Sequence, residues 1–153
     1  MSIEDSPVVL DVGATVHLAR GDGYGAELDR RFALLARRVA PLISAVSVGE
    51  VLRVARRQRQ ITRAEQVTDE AVQQLLSNLN VVPAEGAVAL EFARLSAALD
   101  DAGNRLHNSA KVWVAATAAA TRGVVVTDDV DFRAFGEEVR CEIVDAMPFL
   151  EAE

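Results

Sequence analysis

Acidic side chains stand at the ends of two apolar runs in this chain. The first run, "VVLD", ends at Asp11. The second, "VVVTDDVDF", carries Asp128, Asp129 and Asp131 directly after Thr127. A third source is Glu50 in "SAVSVGEVL". Carboxylates brought together repel one another unless a cation lies between them. A hard divalent ion such as Mg2+ or Mn2+ is the natural occupant, because it accepts a few carboxylates together with water and substrate phosphate. Such a centre can activate water for phosphodiester cleavage. Taken singly, each acid reads as a cap or turn residue, Asp128 and Asp131 as those of a short helix before Gly136. Convergence of Asp11, Glu50 and Asp129 is what would make a site.

One residue runs against this pattern. The stretch "HNSAKVWVAAT" reads as a helix start that is otherwise apolar or small, yet it places Lys111 in the first turn. A helix N-terminus carries partial positive charge and disfavours a cation. The bland explanation is a lysine that snorkels to solvent.

The elements that must hold these residues can be read from periodicity. "VVLD" (8–11), "LIS" (42–44), "VVP" (81–83), "VVVT" (124–127) and "EIVD" (142–145) read as short buried strands. Between them lie helical patterns. Residues 26–40 place Leu28, Phe32, Leu35 and Val39 on one face, up to Pro41. A helix capped by Ser47 is predicted to run to about Gln60, with Glu50 in its first turn. Thr62 and Glu65 have capping-box spacing, as do Thr68 and Ala71 without the acid. Residues 86–103 form an amphipathic pattern ending at Gly103. Asn108 or Ser109 would cap the Lys111 helix, which runs to about Thr121. Continuous apolar strands alternating with helices predict a three-layer α/β/α sandwich around a mainly parallel sheet of about five strands. The whole chain, 1–153, is expected to be one domain. In such sheets ligands bind beyond the carboxyl ends of the strands, where Asp11 and Asp129 would stand.

Composition narrows the classes. Half of the 153 residues are apolar, enough for a sizeable core. No apolar run approaches the roughly 20 residues of a membrane helix. The start has acids before its first apolar run and no basic region, so no secretory signal is expected and the protein should be cytoplasmic. The single Cys141 excludes an internal disulfide and reads as a small buried hydrophobe. A net charge of −7 argues against nucleic-acid binding by overall attraction. A local basic surface remains: five arginines and no acid lie between Val51 and Ala64.

The pieces "VVLDVGATVHLA", "PLISAVSVGEVL", "AGNRLHNSAKVWVAATAAATRG" and "VVVTDDVDF" occur in an order that resembles the PIN-domain ribonucleases, most closely the VapC-type toxins of bacterial toxin–antitoxin pairs. The resemblance implies an endoribonuclease dependent on Mg2+ or Mn2+, with RNA as substrate, a cognate antitoxin as partner, and a homodimer. By position it implies that Asp11, Glu50 and Asp129 are the catalytic and metal-binding acids. Thr127 would orient an acid or substrate, with Asp131 a further supporting candidate. The family's remaining acid falls at Lys111, and its usual Ser or Thr after the first acid is Val12. Two outcomes follow. Lys111 could replace the metal among Asp11, Glu50 and Asp129, leaving a catalytically degenerate binding or regulatory protein that pairs with a partner without cleaving RNA. Alternatively three acids still hold one metal, and Lys111 stabilises charge on the reacting phosphate.

Arg53, Arg56 and Arg57, with Arg59 and Arg63, could contact RNA phosphates, or could be a solvated helix face. His17 reads as a partly buried helix residue, His107 as a loop residue and Trp113 as core. Haloacid-dehalogenase phosphatases are excluded because no second Asp follows Asp11 at the required spacing. Receiver domains are excluded by the order of acids and lysine. "DVGATV" is not a dinucleotide-binding glycine turn.

Overall fold

The computed structural model describes residues 5–57, 66–104 and 108–150. Thr62, Glu65, Arg59, Arg63 and His107 lie outside the described residues.

The strands are β1 (Val8–Leu10), β2 (Leu42–Ser44), β3 (Asn80–Val82), β4 (Val124–Thr127) and β5 (Arg140–Ile143). They form one parallel five-stranded sheet in the order β3-β2-β1-β4-β5. Every residue of β1 and β4 is buried, as expected of central parallel strands covered on both faces. Strand alternation divides their side chains between two cores. Val8, Leu10 and Val126 pack with α1 (Val12–Arg20), α2 (Gly23–Phe32), α3 (Ala45–Arg56) and α4 (Asp69–Leu76). Val9 and Val125 pack on the other face with α5 (Ala87–Asp101), α6 (Ser109–Thr121) and a 3-10 segment (Val130–Glu138). A short α7 (Met147–Leu150), not foreseen from the sequence, follows β5. The three-layer expectation holds.

Several boundaries differ from expectation. The helix predicted over 26–40 ends at Phe32, because Ala33 adopts the left-handed conformation with φ 50°. The Arg37 guanidinium donates to the Phe32 carbonyl at 3.0 Å and the Ser6 carbonyl at 2.7 Å, closing the helix end. Leu34 is therefore buried, while Leu35 and Val39 are exposed. Helix α3 starts earlier than predicted. Its cap is Ser44, whose hydroxyl accepts from Val46 N–H at 3.2 Å, and Ser47 lies inside the helix. Strand β5 spans 140–143 rather than 142–145. The Thr68 cap, the left-handed Gly103 and the Asn108 cap stand as read from sequence.

Candidate functional site

Because β1 and β4 are parallel neighbours, Val8–Leu10 and Val124–Val126 run in register and release the chain at the same edge. Asp11 then caps α1, and Asp129 caps the 3-10 segment. The two acids are held by one hydroxyl. Thr127 Oγ1 donates to Asp11 Oδ2 and accepts from the Asp129 N–H at 2.9 Å. Asp11 Oδ1 accepts from Ala14 N–H at 2.8 Å, and Asp129 Oδ1 accepts from Asp131 N–H at 2.9 Å. Capping thus fixes both carboxylates in orientation.

Asp11 and Asp129 line a groove of about 140 Å3 together with Gly13, Asn108, Lys111 and Asp128. Asp128, one of the acids following Thr127 and taken singly a turn residue, is the further acid that the fold brings into the groove beside Asp11 and Asp129. A side chain at position 13 would contact Asp128 Oδ1 at 3.4 Å and Asp11 Oδ1 at 3.9 Å, so Gly13 leaves the room in which these acids face each other. The signal available in the sequence was the doubled acid after Thr127, opposite a glycine.

Burial, and then the charges of Asp128 and Asp129, push the Asp11 carboxyl up to about 6 despite its two hydrogen bonds. Asp129 behaves differently. Its partial burial raises its pKa, but the bonds from Lys111 and the Asp131 N–H outweigh this and hold it below the ordinary value. Lys111 Nζ lies 2.7 Å from Asp129 Oδ2 and 2.6 Å from Asp131 Oδ2. Desolvation works against its charge, and the two carboxylates more than restore it, so its pKa is raised. Lys111 does not snorkel away from the site.

Glu50 is not brought into this groove lining. The earlier start of α3 moves it to the sixth helical residue, away from the strand end. It is 39 % exposed and pairs with Arg53 at 3.3 Å, one turn along its own helix. Arg56 reaches Asp69 at 3.5 Å, and Arg57 caps the helix. His17 is tied to Asp22 at 2.6 Å on the far end of α1. Trp113 stacks on Phe92, and Cys141 is half-buried, its thiol pushed up to about 11 by burial.

Asp11, Asp128 and Asp129 offer hard oxygen donors of the type that Mg2+ or Mn2+ prefers. Asp129, however, is already neutralised by Lys111. Among the described residues no three acidic, histidine or cysteine side chains are gathered so that they could hold a metal ion. As they stand, the residues do not fit a three-carboxylate metal centre. The groove instead has two unlike halves: Asp11 with Asp128, which lack a paired cation among the described residues, and Asp129 with Asp131, which share one.

A parallel sheet of this order with acids beyond β1 and β4 is the architecture of a PIN domain. Residues 8–138 match the PIN domain profile, and the chain belongs to that family. Solved structures with the same fold come from toxin–antitoxin systems. A chain of VapBC-5 from Mycobacterium tuberculosis is 26 % identical, with TM-score 0.61 over 92 % of this chain and 98 % of that one. A chain of VapBC2 from Rickettsia felis, solved with a promoter DNA fragment, is 17 % identical, with TM-score 0.72 over 90 % and 98 %. A chain of FitAcB from Neisseria gonorrhoeae is 22 % identical, with TM-score 0.68 over 88 % and 95 %. No curated protein sequence matches the chain.

Proposed function

We propose that this chain, as one PIN domain over 1–153, is the toxin component of a toxin–antitoxin pair. Its groove acts on RNA phosphodiesters with Mg2+ or Mn2+, and Lys111 weakens that activity. The observation that carries this reading is the groove itself: Asp11, Asp128 and Asp129 converge at the ends of two adjacent strands, oriented by Thr127. Asp11 and Asp129 are the proposed catalytic and metal-binding acids, with Asp128 beside them in the groove; Asp129 would hold the ion only when released by Lys111. Glu50 would join only if it left Arg53. Arg53, Arg56 and Arg57 are proposed to contact the RNA backbone. The related toxin–antitoxin complexes support an antitoxin partner; the homodimer and the cytoplasmic location are proposed on the family resemblance and the sequence. Among the described residues no helix is long and apolar enough to cross a membrane.

The test is RNA cleavage by purified protein with Mn2+ present, comparing the wild type with Asp11→Asn. Metal-dependent cleavage that Asp11→Asn abolishes supports the proposal. Cleavage that persists in Asp11→Asn, or that needs no metal, sinks it.

A second reading is favoured by the exposed Glu50–Arg53 pair and by the lack of a three-acid cluster among the described residues. On that reading the protein is a degenerate PIN domain that binds its partner and cleaves nothing. Tight partner binding with no cleavage at any metal concentration would decide for it.

A further inference from the structure

Lys111 occupies a place where two separate effects oppose a cation. It lies in the first turn of α6, whose N-terminus is partially positive. It is also only 25 % exposed, and loss of solvent disfavours its charge. Yet its ammonium contacts two different carboxylates at 2.7 and 2.6 Å, both from the 3-10 segment across the groove from α6. That segment is continuous with the rest of the site. Asp129 binds the Asp131 N–H, its own N–H binds Thr127, and Thr127 binds Asp11. Among the described residues no other cation pairs with Asp11, Asp128, Asp129 or Asp131.

We infer that Lys111 is the resident cation of the groove: its ammonium bridges Asp129 and Asp131 in place of a dissolved divalent ion, and such an ion gains these two carboxylates as ligands only by displacing it. The inference rests on taking this groove as the functional site of the PIN domain, and is independent of RNA being the substrate. Removing Lys111 leaves the partly exposed Asp129 and Asp131 carboxylates without the cation that lies 2.7 and 2.6 Å from them and repelling each other, so the acids without Lys111 would seek another one. The wild-type fold, in contrast, needs no metal to join α6 to the 3-10 segment. Metal affinity is thereby set by a competition inside the chain.

The experiment titrates Mn2+ alone into the full chain by calorimetry and follows the melting temperature with Mn2+ or with a chelator. Wild type, Lys111→Met and Asp131→Asn are compared. Lys111→Met is expected to bind Mn2+ about tenfold more tightly than wild type, or better, and its melting temperature should rise by about 2–4 °C with the ion. Wild-type melting should shift by less than this at the same Mn2+ concentration. Asp131→Asn keeps the Asp129 contact but loosens Lys111, and should bind Mn2+ with intermediate affinity. Equal affinity in wild type and Lys111→Met overturns the inference, as does the absence of binding in every variant. If Lys111→Met does not fold, Asp131→Asn decides: tighter binding supports the assignment and unchanged binding overturns it. Failure of Mn2+-loaded Lys111→Met to cleave RNA counts against the ribonuclease reading, while the metal uptake itself still supports the resident cation.

Discussion

At the scale of single residues, Asp11 and Asp129 show how two carboxylates of one groove acquire opposite electrostatics. The Asp11 carboxyl is raised from 3.8 to about 6, chiefly by burial. A carboxyl whose pKa is higher in the folded chain binds its proton more tightly there than in the unfolded chain. Its stabilising contribution is therefore complete below about pH 4 and lost as pH rises through 6, on the order of 3 kcal/mol in metal-free protein. Asp129 has the reverse sign: its pKa is lowered, so its contribution is present above 3.8 and lost as pH falls. Denaturant unfolding between pH 4 and 7 should show the Asp11 decline in the wild type and a flatter curve in Asp11→Asn. Equal slopes would mean that the Asp11 carboxyl is not desolvated as described. Thr127 is the second residue-scale test. Thr127→Val removes the hydroxyl that serves both acids and leaves buried partners unmatched, at a cost of about 1–3 kcal/mol by thermal melt.

At the scale of elements, caps and close approaches decide where each helix begins and how near it comes to its neighbour. Ser44 caps α3, so Ser44→Ala should lose about 1 kcal/mol, whereas Ser47, inside the helix, contributes no cap. Gly25 sits where α2 meets the end of α1. A Cβ at that position would lie 2.2 Å from the His17 carbonyl oxygen, a backbone atom that cannot rotate away. Gly25→Ala should therefore force the two helices apart and cost roughly 1–3 kcal/mol or more. A melting temperature equal to wild type would show that α1 and α2 have freedom to separate. The same reasoning explains the helix that ended early. The periodicity of residues 26–40 holds only for Leu28 and Phe32, because a left-handed Ala33 and the Arg37 bonds to main-chain carbonyls close the helix at Phe32.

At the scale of the whole molecule, the strand order makes the site and the charge distribution shapes its access. A net charge of −7 repels polyanions at long range, so any RNA contact must come from a local surface. The described basic end of α3 supplies Arg53, Arg56 and Arg57, all exposed, though Arg53 and Arg56 already reach Glu50 and Asp69. Replacing all three with alanine should weaken RNA binding alike across sequences and lower the salt-dependence slope by about 2. An unchanged slope would assign these arginines to a solvated helix face.

The sequence by itself determined the layered parallel fold, because apolar strand runs alternating with helical periods leave few other ways to bury both. It also marked Asp11 and Asp129, since strand ends in such sheets are where ligands are met, and Thr127 through the family resemblance. It flagged Lys111 as a charge in the wrong place for a helix start. Only the tertiary structure decided which charges meet. Coulomb and hydrogen-bond energies change over a few ångströms, whereas sequence patterns locate a helix start only to within about two to four residues. Side-chain placement at that finer scale left Glu50 with Arg53, set Asp128 against Asp11 across Gly13, and gave Lys111 to Asp129 and Asp131.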